Sequence, residues 1–319
     1  MKKVLISLLV LIALLLVAVK YRWHILLPLA TTGAPVELDR AMSTVPDSIP
    51  FGDDEVYVTL QLDERTFAIA EPYSWTRNFN YLFIGDDRAL LFDAGIGHYD
   101  IRPVVASLTK LPITFIPSHF HYDHTGQVDF PRRAMVDLPH LRARADGDKL
   151  TPAWGEFLGS AEGVEAPTWQ IDEWIKPGEK IELGNRSLTL MFTPGHTDNS
   201  ISLYDSDSKR LFSGDFISKN QMNAYYPGGS LGDYLQSAEK ILSDTDPATT
   251  LYGAHSQTEP DLPEFVHAEV EILRDQIRRI KSGELTHDGV YPVSYQITPA
   301  QVILAEHPLL QSWDITPEN

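Results

Sequence analysis

The run Ser118-His119-Phe120-His121-Tyr122-Asp123-His124 restricts this chain more than any other segment. It packs three imidazoles and one carboxylate into six consecutive positions, far more ligand chemistry than a structural segment needs. Alternation by two puts His119 and His121 on one side of an extended backbone, where both can reach a single cation. Asp123 and His124 follow once the chain begins to turn, which aims them at a second position close by. Helical metal motifs use i, i+4 spacing instead, so this is a loop-borne site. The preceding run Leu111–Pro117 reads as a buried strand bounded by prolines. The ligands therefore sit at the C-terminal end of a strand, where open α/β sheets place their chemistry.

Other ligands repeat the same grammar of a short apolar strand, a glycine and then a donor. Thr193-Pro194-Gly195-His196 follows the strand Arg186–Thr193, Phe212-Ser213-Gly214-Asp215 follows Arg210–Phe212, and Leu251-Tyr252-Gly253-Ala254-His255 closes a third. Glycine lets the backbone turn sharply beside a bulky site. Ser118, Ser213 and Ser256 neighbour these donors, but none has a spare His and acid, so a serine triad is not expected.

The rest of the chain reads as strands in quantity with interspersed helices. Strands are expected at Val56–Leu60, Thr66–Ala70, Asn80–Ile84, Arg88–Phe92 and Ser200–Tyr204, with a hairpin turn at Gly85-Asp86-Asp87. Helical patterns cover Tyr99–Lys110, Leu231–Ser243 and Pro263–Ser282. No clean βαβ rhythm and no repeat appear, which suggests sheets packed on each other with helices outside. The turn-rich segment 141–175 is a candidate lid, and Phe120, Tyr122, Trp154, Trp169, Tyr225 and Tyr226 are candidate pocket aromatics.

Lys+Arg of 26 against Asp+Glu of 44 gives a formal charge of −18, a field that repels polyanions and argues against nucleic acid as partner. With no cysteine there are no disulfides, thiolate ligands or Cys nucleophile. Lys2-Lys3 precede an unbroken apolar run, Val4–Val19, followed by Lys20, Tyr21, Arg22 and Trp23. A helix over that run spans ~24 Å, a little short of a ~30 Å hydrocarbon core. Snorkelling lysines and interfacial aromatics close the gap. Residues 4–19 are thus expected to sit in a lipid bilayer as an uncleaved anchor, with the bulk of the chain on the extracytoplasmic, periplasmic side. Secretion after signal cleavage is the competing reading.

Taken together, Phe92-Asp93-Ala94-Gly95, His119-Phe-His121-Tyr-Asp123-His124, Pro194-Gly195-His196, Gly214-Asp215 and Ala254-His255 resemble the successive motifs of the metallo-β-lactamase-fold superfamily, in its order. The resemblance implies an α+β four-layer αββα sandwich with a dinuclear metal site, usually zinc, at one edge of two sheets. With the apolar run and the Pro-, Thr-, Ser- and Ala-rich stretch after it, the chain divides into a transmembrane anchor or signal segment (1–27), a linker (28–50), a catalytic domain (51–284) and a C-terminal tail packed on that domain (285–319). Carried over by position, one metal takes His119, His121 and His196, the other Asp123, His124 and His255, and Asp215 bridges them. Asp93 is expected to orient the ligand loops from behind. Imidazoles with carboxylates suit two Zn2+ per chain, with iron or manganese as alternatives.

The expected reaction is hydrolysis of a small-molecule carboxylic ester, thioester, lactone or amide by a metal-bridging hydroxide, with Asp123 and Asp215 as its catalytic carboxylates. A phosphodiesterase using the same two metals and a non-catalytic metal-binding domain are the alternatives. Asp215 at the bridging position departs from the true β-lactamases and is closer to the glyoxalase II and lactonase branches.

Overall fold

The computed structural model describes residues 57–71, 76–126, 129–159, 164–256 and 262–318, the backbone of 49–51, and residues 7, 10, 17–19 and 21–23. The anchor or signal segment expected over 1–27 and the linker over 28–50 lie largely outside the described residues. Residues 17–19 and 22–23 are helical. Among the described residues no helix is long and apolar enough to cross a membrane.

Two six-stranded sheets form the body. In the first, Ile49–Phe51, Tyr57–Asp63, Thr66–Ala70, Phe79–Ile84, Ala89–Phe92 and Ile113–Ile116 lie in chain order. Every neighbouring pair in it is antiparallel except the last, which is parallel. In the second, Lys180–Glu182, Ser187–Phe192, Ile201–Asp205 and Arg210–Phe212 form a meander, followed by Thr250–Tyr252 parallel to Arg210–Phe212 and by Glu264–Val266 at the edge. A parallel pair needs a crossover connection. Helices Arg102–Leu108 and Leu231–Asp244 lie within the two crossovers.

Alternation along each strand builds the layers. Tyr81, Phe83, Leu90 and Phe92 point inward to meet Leu190, Phe192, Phe212 and Tyr252 of the other sheet. Phe212 packs edge-on to Phe83 with ring centroids 4.6 Å apart. The intervening residues Leu82 and Leu91 point outward and pack under Ile101, Val104 and Val105 of the first outer layer. On the far side Met191, Leu211 and Leu251 pack against Tyr234, Ala238 and Ile241 and against Val270, Leu273 and Ile277 of the helix His267–Ser282. Phe79–Ile84 and Ile201–Asp205 are buried on both faces, with the polar Asn80, Ser202 and Asp205 buried among their apolar residues. The result is the four-layer αββα sandwich.

Two segments differ from expectation. Pro263–Ser282 is not helical throughout: Glu264–Val266 pairs with Thr250–Tyr252, and the helix begins at His267. Residues 285–319 are more than a tail, because Val293–Thr298 and Gln301–Ala305 form a hairpin that pairs with Gln221–Ala224 as a third sheet.

Candidate metal centre

The donors lie where strands of the two sheets end. Ile113–Ile116 runs out into Ser118–His121, and Tyr122–Thr125 is a single helical turn that carries Asp123 and His124. Ser187–Phe192 leads to His196, Arg210–Phe212 to Asp215, and Thr250–Tyr252 to His255. Backbone bonds stitch these loops to one another. Ile201 N donates to Ser118 O at 2.9 Å, Ala254 N to Gly214 O at 3.0 Å and Phe79 N to Ala254 O at 2.8 Å. Two glycines are demanded by the crowding: a Cβ on Gly214 (φ +52) would lie 2.8 Å from Ser118 Oγ, and one on Gly195 (φ +143) would lie 2.8 Å from Tyr234 Cα.

All seven expected ligands come together. Three overlapping groups place their donor atoms within 4.8 Å of one another: His119–His121–His196, His119–His124–Asp215 and Asp123–His124–His255. His119 Nε2 and His196 Nε2 lie 2.9 and 3.0 Å from His121 Nδ1. His255 Nε2 lies 3.2 Å from His124 Nε2. Asp215 spans the two trios. Its Oδ1 is 3.0 Å from His255 Nε2 and 3.4 Å from His124 Nε2, while its Oδ2 is 3.4 Å from His196 Nε2.

The outward-facing ring nitrogens decide which way the lone pairs point. His196 Nδ1 donates to Asn223 O at 2.9 Å, His255 Nδ1 to Thr76 O at 2.9 Å and His124 Nδ1 to Asp93 Oδ2 at 3.0 Å. Carbonyl and carboxylate oxygens only accept, so each of these rings carries a proton on its outward Nδ1, which leaves Nε2 as the nitrogen that the neutral ring can offer to the centre. His119 Nδ1 meets Ser118 Oγ at 3.0 Å, a hydroxyl that can accept its proton. Asp215 Oδ1 is buried without a hydrogen bond, and His121 turns its Nδ1 to His119 and His196. Ring nitrogens and carboxylate oxygens crowded on one point form a candidate cation site, and imidazoles with carboxylates are donors that zinc, iron or manganese accepts.

Electrostatics separates the two trios. Burial, and then the neighbouring imidazoles, hold His119 and His121 well below the usual histidine range. Burial also dominates the lowering of His196. At His124 and His255 burial again opposes charge, but the carboxylates led by Asp215 outweigh it and both rings are raised. Burial likewise opposes charge on Asp215, yet His255, His124 and His196 hold its carboxyl well below the usual carboxylate range.

Asp93 stands behind the ligands. It adopts φ +66, a conformation Asp tolerates better than most residues, and its Oδ1 accepts from Ser118 N at 2.5 Å while Oδ2 holds His124. Several contributors were not visible in the sequence. Asn78 donates to Asp123 O and forms a β-bridge with His255. Asn199 Oδ1 accepts from Phe120 N at 3.2 Å. Glu71 is buried, accepts from Ile96 N at 3.3 Å, and is pushed up to about 8 chiefly by burial.

Of the candidate pocket aromatics, Phe120 and Trp169 belong to the inter-sheet core, Tyr122 packs with Ile96 and Phe157, and Trp154 is exposed. Tyr226 does approach the centre, edge-on to His121 at 5.5 Å and to His196 at 6.2 Å between ring centroids. Tyr225 packs on it at 4.4 Å. The segment 141–175 holds the one-turn helix Trp154–Phe157 and short strands at Lys149–Leu150, Trp169–Gln170 and Glu173–Ile175.

The sequence profile described as the metallo-beta-lactamase superfamily matches residues 75–255. The chain belongs to that superfamily. It is 28% identical over 219 residues to the acyl-coenzyme A thioesterase MBLAC2 of Bos taurus, covering 60% of this chain and 77% of the relative. A hydroxyacylglutathione hydrolase of Hahella chejuensis is 25% identical over 250 residues, covering 73% and 85%. A solved metallo-β-lactamase from Erythrobacter litoralis shares the fold with a TM-score of 0.53 at 16% identity, over 73% of this chain and 100% of that one. The chain is a hydrolase of this superfamily, with a His/Asp cluster able to hold metal.

Proposed function

We propose that the chain is a dinuclear zinc hydrolase of acyl thioesters and related small carboxylic esters, lactones or amides. The observation that carries this reading is Asp215, one carboxylate standing between two trios of donors. In it His119, His121 and His196 would hold one ion, Asp123, His124 and His255 would hold the other, and Asp215 would be shared. Bound there, the pair supplies Lewis acidity for the acyl oxygen and a water acidified toward neutrality. With the ions in place, Asp123 and Asp215 would orient that water against the acyl carbon, and Asp123 would take up its proton. The water oxygen bonds to the carbon, the bond to the departing sulfur or oxygen breaks, and the proton passes to the leaving group. Thr76, Asn223 and Asp93 hold the imidazoles in the tautomer that ligation needs.

The thioesterase and the hydroxyacylglutathione hydrolase among the relatives both remove acyl groups, so thioesters head the substrate list. The test is a screen of the zinc-loaded full chain on a thioester, a lactone, a β-lactam and a bis-aryl phosphate. Chelator-sensitive thioester turnover, reduced at least ~100-fold by Asp215→Ala, is the expected result. Turnover of the phosphate alone makes it a phosphodiesterase, and turnover of nothing a metal-binding domain.

Residues 4–19 are further proposed to anchor the chain in a bilayer, with the folded domain on the extracytoplasmic side. The support is the unbroken apolar run between Lys2-Lys3 and Lys20, together with Val10 and Val17, each more than half exposed. Membranes washed with alkaline carbonate should retain the chain; its release into the supernatant contradicts anchoring.

A further inference from the structure

The short stem that follows the apolar run, Arg22-Trp23, has no part in the chemistry above, yet it is fastened beside the metal centre. Arg22 Nε and Nη2 donate to Glu306 Oε1 at 3.1 and 2.6 Å, across 284 positions of sequence. Glu306 is buried, and the Tyr291 hydroxyl donates to the same oxygen at 3.2 Å. Removing one partner of such a pair strands a buried charge, so this contact pins the stem. Trp23 then packs against Tyr291 at 6.3 Å and against Tyr225 at 6.1 Å between ring centroids, with the Arg22 guanidinium 5.5 Å over its ring. From Tyr225 the rings continue to Tyr226 at 4.4 Å and from Tyr226 to His121 at 5.5 Å. An unbroken file of aromatic rings thus leads from the base of the apolar run to a metal-binding imidazole. Trp23, Tyr225 and Tyr226 are each half-buried, so each still offers part of a ring to an occupant.

We propose that Trp23, Tyr225 and Tyr226 form a wall for a long alkyl chain. On this view the substrate is an amphiphilic acyl thioester or ester drawn from a lipid surface, with its carbonyl at the metal trios and its chain along the rings toward the bilayer. The proposal rests on the hydrolase reading and narrows its substrate class. Two physical features favour a chain over a small polar acyl group. Aromatic faces supply apolar area for methylene groups but few polar anchors. Tyr21 and Trp23 follow the apolar run directly and are the residue types that settle at the edge of a bilayer. The file of rings therefore starts at the level where lipid chains would begin.

The test uses the full chain in phosphatidylcholine vesicles, with acetyl- and palmitoyl-coenzyme A as probes. Trp23→Ala should lower the ratio of kcat/KM for the palmitoyl over the acetyl thioester about tenfold, and Trp23→Phe, which keeps a ring, should restore most of it. An unchanged ratio in an active Trp23→Ala enzyme overturns the wall alone. Inactivity of the wild type on both thioesters, with turnover of the lactone retained, overturns the thioesterase reading and the wall with it, and inactivity on all three overturns the hydrolase reading. A readout independent of turnover is quenching by lipid brominated on its acyl chains. The wild type should be quenched more than Trp23→Phe, and equal quenching overturns the membrane-side placement of the stem.

Discussion

Glu71 shows what a single buried side chain contributes here. It ends the strand Thr66–Ala70, and a Cβ on Gly95 would lie 2.2 Å from its carboxylate, so the loop Asp93–Gly97 is closed over it. Burial raises its pKa, the Ile96 N–H lowers it and Asp123 raises it again, for a result of about 8 against an ordinary 4.5. A carboxyl raised in the folded state stays protonated where the unfolded chain has lost its proton. Stability of the metal-stripped protein should therefore fall as pH rises from 4.5 toward 8. Glu71→Gln has nothing to titrate and should lose less over that window, by on the order of a few kcal/mol. Parallel melting-temperature curves for the two proteins contradict this. The ligands themselves were legible because their meaning is local: three imidazoles in six residues need no tertiary information. Glu71, Asn78 and the carbonyls of Thr76 and Asn223 were not, since a lone strand-end acid or a backbone oxygen has no sequence signature until folding places it.

Among elements, the helix Leu231–Asp244 ties the outer layer to the site. Ser230 caps it, accepting from Gly232 N at 3.1 Å and Asp233 N at 3.4 Å. The same residue donates its backbone N–H to Gly195 O at 2.9 Å, and Ser237 Oγ donates to Pro194 O at 2.6 Å. The helix thus grips the turn that presents His196. Gly195→Ala should cost ~2 kcal/mol or more, because its Cβ meets the Tyr234 backbone, which cannot swing aside. It should also weaken metal binding through His196, whereas Ser230→Ala should cost only ~1 kcal/mol and leave the metal in place. Equal effects of the two in thermal melts and metal titrations contradict this account. Strands with a glycine and a donor at their end were readable because apolar run, turn and ligand are adjacent. The start of the last long helix was not. Glu264–Val266 alternates exposed, buried, exposed, too short a pattern to separate strand from helix, and the boundary is set by Glu269 accepting from Val266 N at 2.8 Å.

The whole molecule divides its site between its halves. The first sheet supplies His119, His121, Asp123 and His124, and the second supplies His196, Asp215 and His255. Neither half holds a complete trio with Asp215, so the site exists only when the sheets are packed face to face through residues such as Phe83 and Phe212. Metal binding is then coupled to that packing, and stripping the metal should lower the melting temperature in proportion to the affinity lost. The layered architecture was foreseeable from many strands and no βαβ rhythm. The pairing of the C-terminal hairpin with Gln221–Ala224 was not, because register between distant strands leaves little trace in either one. The most direct measurement is metal content per chain by mass spectrometry, on zinc-reconstituted wild type and on Asp215→Ala. The proposed centre predicts about two zinc ions in the wild type and about one or fewer in the variant. Fewer than about one in the wild type, or the same count in both proteins, contradicts a centre shared through Asp215.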